Sequence, residues 1–156
     1  MKKLLLSAFI LVAVGFGNSF AQTVDEEIAL VQEAFGKDKK ALVEDYMDLT
    51  PEKSAAFWTI YEAYEIERKE ISKERMLIIN EYIEEFTRIG NEEADVLATR
   101  SLKNDARQNK LYSAYYKKFK KATSAMDAAK FIQIEFYISN TIRNAIQQEL
   151  PFIGEI

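Results

Sequence analysis

Apolar residues recur three and four positions apart along most of the chain. The longest run is Phe57, Tyr61, Tyr64, Arg68, Ile71, Arg75, Ile78 and Tyr82, widened by Trp58, Ile79, Ile83 and Phe86. Such a stripe is the seam of a helix that packs lengthwise on another. Its start is written in Leu49-Thr50-Pro51-Glu52-Lys53. Thr50 offers an oxygen to the first free amides, Pro51 fits the first helical position, and Glu52 places a negative charge on the positive end of the dipole. No Gly or Pro follows until Gly90, so the pattern predicts one helix over 51–88, about 57 Å long at the helical rise. Arg68 and Arg75 stand in its seam one heptad apart, where apolar residues are expected. Their stems can pack while their heads seek a carboxylate, such as Glu135 or Asp105, or solvent.

Four further segments read as helical. Val24, Ile28, Val31 and Phe35 give a marginal helix over 25–35; after Gly36 a short, firmer one runs over 37–48 with Ala41, Leu42, Val43, Tyr46 and Met47. Ile89-Gly90-Asn91 marks a boundary, with Gly90 in the left-handed position that ends one helix and Asn91 capping the next. That next helix is predicted over 92–122, with its stripe at Ala94, Leu97, Ala98, Ser101, Leu102, Leu111, Tyr115 and Phe119. Its polar middle (Asn104, Asp105, Gln108) predicts poor packing or exposure there. Ser124, with Asp127 three residues on, opens a fourth helix over 125–149. Phe131, Ile134, Ile138, Ile142 and Ala145 face inward, and Glu135 lies at the edge of that face. Phe152 and Ile153 form a short tail that could dock. Thr50 and Ser124, each followed at the same distance by Phe57 and Phe131, make a weak internal echo offset by 74 residues.

The end of the third helix mixes Tyr112, Tyr115, Tyr116 and Phe119 with Lys117, Lys118, Lys120 and Lys121. Basic and aromatic residues together can mark a nucleic-acid or membrane surface. The simpler reading is that the lysines complement the helix C-terminal dipole while the tyrosines pack inward.

Composition narrows the picture. Lys2-Lys3, the apolar run Leu4 to Phe16 and Ser19-Phe20-Ala21 have the architecture of a secretory signal peptide. The run is shorter than the roughly 20 residues of a spanning helix. Cleavage after Ala21 would leave 22–156 as a single all-helical domain in the periplasm, with 19 basic and 25 acidic residues once Lys2 and Lys3 are removed. That balance argues against general nucleic-acid binding. Without Cys there are no disulfides, and the few Gly and Pro residues leave little room for turns, so an all-α fold is expected.

Leu49, Thr50, Pro51 and Glu52 at a helix start, in an exported helical chain with two capped helix starts and a basic aromatic third helix, resemble the Spy/CpxP family, also called the LTxxQ family. Phe35-Gly36-Lys37, Tyr46-Met47-Asp48-Leu49-Thr50 and Phe57-Trp58 are similar to its Bacteroidetes-type branch. The similarity covers most of 35–153. Lys53 stands where the motif has Gln, and the second copy, Thr123-Ser124-Ala125-Met126-Asp127, is degraded. The resemblance implies a cradle-shaped, usually dimeric periplasmic protein that acts as an ATP-independent chaperone or an envelope-stress regulator. A zinc-linked branch also exists.

Chemistry points the same way. With neither His nor Cys, the commonest bases, nucleophiles and soft metal ligands are missing. No phosphate-cradling Gly-rich motif occurs, and zinc draws on His and Cys, which leaves only a weak carboxylate site for Ca²⁺ or Mg²⁺. A non-enzyme without cofactor, metal or small-molecule substrate is expected. A compact chain of this length has a diameter of roughly 36 Å, too small to cover a straight 57 Å helix. The expected architecture is therefore an elongated four-helix hairpin or cradle, one helix short and three longer, closed by a homodimer; a compact four-helix bundle is the alternative. Two functions follow. One is a chaperone binding unfolded envelope proteins, with Arg68, Arg75, Tyr112, Tyr116, Lys117, Lys120 and Lys121 as its client surface. The other is a regulator that binds a membrane sensor domain.

Overall fold

The computed structural model describes residues 23–155; the predicted signal peptide lies outside them. Among the described residues the fold is all-α, with four helices: α1 (Val24–Met47), α2 (Pro51–Glu85), α3 (Asn91–Ala122) and α4 (Ala125–Glu149). A short 3-10 turn, Phe86–Arg88, extends α2. The chain divides into two compact units. One contains α1 through Asp48 together with Gln133–Glu149; the other contains Leu49–Ile132 together with Leu150–Ile156.

In the first unit, α1 is one continuous helix rather than two short ones. Ile28, Phe35, Lys39, Val43 and Met47 are buried on a single face that runs through Gly36. Gly within a helix costs only about 1 kcal/mol relative to Ala, so a shared buried face carries the helix past it. Thr23 and Glu26 form a reciprocal capping box at its start. Asp48 ends it in the left-handed conformation (φ 45°), which Asp tolerates better than most residues. Lys39 Nζ lies 2.7 Å from Glu135 Oε1, and both side chains are almost completely buried, at 1% and 4% exposure. Glu135 is thus inside the fold, between the buried Ile134 and Ile138, rather than at the edge of a face.

In the second unit, α2 and α3 form an antiparallel hairpin. Phe57 meets Phe119, Tyr64 meets Tyr115, and Arg75 meets Asp105, so the pairing runs back from the connecting turn. Gly90 does not adopt the expected left-handed conformation. Its φ is −96° and it serves as the N-cap of α3, its N–H donating to Glu93 Oε2 at 3.0 Å; Asn91 is the first helical residue.

The buried stripe of α3 also differs from the expected one. Leu97, Asn104 and Leu111 are buried one heptad apart, and Leu102 is 71% exposed. Weighting Leu102 as core rotates the helix away from its true face, because the heptad is interrupted by a polar residue. Asn104 Nδ2 donates to the Ile71 carbonyl at 3.1 Å, so the polar middle is packed rather than open. The tail does not dock by its apolar residues. Phe152 and Ile153 remain 77% and 50% exposed, while the Tyr82 hydroxyl donates to the Pro151 carbonyl.

Candidate client-binding surface

Every residue of the expected client surface and motif falls within the second unit. At the end of α3, Tyr112, Tyr115 and Phe119 are buried, Tyr116 is half-buried, and Lys117, Lys120 and Lys121 are exposed. Alternation of inward aromatics with outward lysines follows from helical periodicity. Tyr115 donates to Glu67 Oε1 at 2.7 Å, and Lys118 Nζ sits 3.8 Å from the centre of its ring. Burial first, and then the Glu67 carboxylate, push the Tyr115 hydroxyl up to about 12.

The two seam arginines point to partners within the chain. Arg68 is buried and makes a two-pronged pair with Glu65, at 2.9 Å and 3.0 Å. Arg75 pairs with Asp105 of α3, one of the two partners expected for the seam arginines; the other, Glu135, pairs with Lys39. Arg100 of α3 bridges Glu74 and Glu81 of α2, and these two carboxylates raise its guanidinium further above its ordinary value. Arg68 and Tyr112 are therefore buried, and Arg75, half-buried, is tied across the hairpin to Asp105. Of the expected client surface, Tyr116, Lys117, Lys120 and Lys121 remain accessible.

The motif residues build a joint between two helix starts. Thr50 has the extended backbone of an N-cap (φ −63°, ψ 153°), and Pro51 follows at the first helical position. The Thr50 side chain caps no amide, contrary to expectation. The backbone N–H of Glu52, and then the Thr50 hydroxyl, hold the exposed Glu52 carboxylate below its ordinary value. The start of α4 is capped as expected, with the Asp127 N–H donating to Ser124 Oγ at 3.0 Å. Lys53 Nζ lies 2.7 Å from Asp127 Oδ2. These are the fifth residues of the intact motif and of its degraded echo, and an ion pair joins them across the 74-residue offset. Lys53 first, and then Ser124, hold the Asp127 carboxylate below its usual range.

Sequence reasoning missed Lys39, Arg100, and the exposed Lys103, Arg107 and Lys110 that precede the lysine-rich end of α3. The last three could have been found from their spacing of four and three, which continues to Lys117 and Lys121. Among the described residues no cluster of three or more acidic side chains could hold a metal ion, and no helix is long and apolar enough to cross a membrane. Comparison with family models, with curated proteins and with solved structures finds no match to this chain.

Proposed function

We propose that the chain is a non-catalytic, ATP-independent periplasmic chaperone of the Spy/CpxP type, which as a homodimer binds unfolded envelope proteins during stress. The observation that carries this reading is the accessible end of α3, where Lys117, Lys120 and Lys121 stand in solvent beside the half-buried Tyr116. Met126, in the first turn of α4, is 81% exposed, and Ile66 and Leu102 are about as open, at 69% and 71%. Unfolded chains offer apolar side chains and scattered carboxylates, and a surface of this kind meets both without demanding a particular shape. A holdase of this kind binds the unfolded state and draws it away from aggregation by mass action.

The test is aggregation suppression, followed by light scattering, with two chemically unrelated clients at equimolar amounts. Protection of both is expected, declining as salt rises. The Lys117→Gln/Lys120→Gln/Lys121→Gln variant should lose capture with helix content unchanged by circular dichroism. Failure to protect either client would overturn the chaperone reading. Binding at fixed stoichiometry to one acidic sensor domain would then support the regulatory alternative.

A further inference from the structure

The cations of this chain are unevenly partnered. Among the described residues, Lys103, Arg107, Lys110, Lys117, Lys120 and Lys121 are exposed and have no ion-pair, hydrogen-bond or ring partner. Every other described Lys and Arg has one. Lys37, Lys39, Lys53, Arg68, Arg75, Arg88 and Arg100 hold carboxylates. Lys118 covers a ring, and Lys40, Lys69, Lys73, Lys130 and Arg143 are engaged as well. All six unpartnered cations belong to α3.

Their spacing places them together. Residues 103, 107, 110, 117 and 121 follow the four-and-three rhythm of one helix face, and 120 flanks them. The exposed side of α3 from Val96 to Lys121 contains no carboxylate: the one acid of that stretch, Asp105, is turned toward Arg75. Ala106, Ser113 and Ala114 lie between the cations, so no bulky side chain holds a partner away. The row from Lys103 to Lys121 is about 27 Å long. Like charges three and four apart on a helix repel one another. In a chain of net charge −4, carboxylates to relieve that repulsion are plentiful elsewhere, yet none is placed here.

We propose that this face of α3 is a docking surface for an anionic lipid bilayer. A cluster of four to eight Lys and Arg on a helix suits acidic lipid headgroups, and a straight row lets the five cations of one face reach one plane together, with Lys120 at its side. The apolar face of α3 is occupied within the hairpin by Leu97, Leu111, Tyr115 and Phe119, so binding is adsorption through long basic side chains rather than insertion. Single-stranded nucleic acid fits less well, because stacking on exposed aromatics supplies much of its affinity, and of the α3 tyrosines Tyr112 and Tyr115 are buried and Tyr116 is only half-exposed. The negative charge of the rest of the chain orients the molecule with this face toward the bilayer.

Vesicle co-sedimentation of the purified chain tests the proposal. It should bind vesicles containing phosphatidylglycerol at least about tenfold more tightly than purely phosphatidylcholine vesicles, and about 0.5 M salt should release it. The Lys103→Gln/Arg107→Gln/Lys110→Gln variant, which leaves the proposed client surface intact, should lose about tenfold or more in vesicle binding and still suppress aggregation. This separates the two readings, since each then fails in its own assay. Equal binding to both vesicle types, unchanged binding by the variant, or tighter binding to a DNA duplex than to acidic vesicles would overturn the proposal.

Discussion

Toward one end of the α2–α3 hairpin, Phe57, Tyr61 and Tyr64 of α2 and Phe119 of α3 close around Phe131 of α4, with ring centroids 4.4–6.1 Å apart. Toward the connecting turn, the same two helices are held by Asn104 on the Ile71 carbonyl, Arg75 on Asp105, and Arg100 between Glu74 and Glu81. The aromatic end excludes water and gains mainly from apolar area removed from solvent, which is non-directional. The polar half gains little net energy, since each contact replaces one with water. It does fix which residue of α2 faces which residue of α3, because charges and amides tolerate few alignments. Stability belongs to one end of the hairpin and alignment to the other.

The largest effect should come from the aromatic end. Phe131 is fully buried, and Phe131→Ala should cost about 3–5 kcal/mol in chemical denaturation; a loss below about 1 kcal/mol would break the contrast. Tyr115 sits where the two regimes meet, and its raised value makes a prediction in pH. Because the folded state holds the proton more tightly, this stability is fully present below pH 10 and is lost as pH rises through about 12. The loss should reach about 3 kcal/mol at most, and Tyr115→Phe should abolish this alkaline dependence in a pH series of melting curves.

Smaller effects should mark the polar half. Asn104 is 2% exposed, and its Oδ1 has no hydrogen-bond partner among the described residues. Asn104→Leu should therefore raise stability by about 1 kcal/mol despite losing the bond to Ile71. A marked loss would show that this amide contributes more than alignment. The smallest change is expected at the joint between the helix starts. Lys53 is 37% exposed, so Lys53→Met should cost less than about 1 kcal/mol. Asp127 is held low in the fold, so its contribution is present above the ordinary carboxylate range and fades as pH falls through its depressed value. The variant should shorten that acid limb, as followed by helix content against pH.

Much of this fold is legible in the residues. Pro51 after Thr50 and Ser124 before Asp127 mark two helix starts, and the spacing from Phe57 to Ile78 marks the long seam. Periodicity reports which residues share a face but not how a polar residue on that face is satisfied. Asn104 therefore reads as poorly packed or exposed and Lys39 goes unnoticed, although one meets a backbone carbonyl and the other a buried carboxylate. Arg68 illustrates the converse. Its place in the seam was legible, while its pairing with Glu65 on its own helix depended on which rotamer the packing allowed. At the surface, the lysine-rich end of α3 drew notice because its charges are adjacent in sequence. Lys103, Arg107 and Lys110 are separated by other residues and come together only on the helix face.

The buried pair of Lys39 and Glu135 imposes a condition on how α1 can be assembled. Two opposite charges 2.7 Å apart and almost completely buried tolerate little slippage. A shift of α1 by one helical turn, about 5.4 Å, would part a buried ammonium from its buried carboxylate. The cost of such a stranded charge exceeds what an apolar contact returns. A greasy helix can slide on its neighbour and lose only a little; α1 has a single berth.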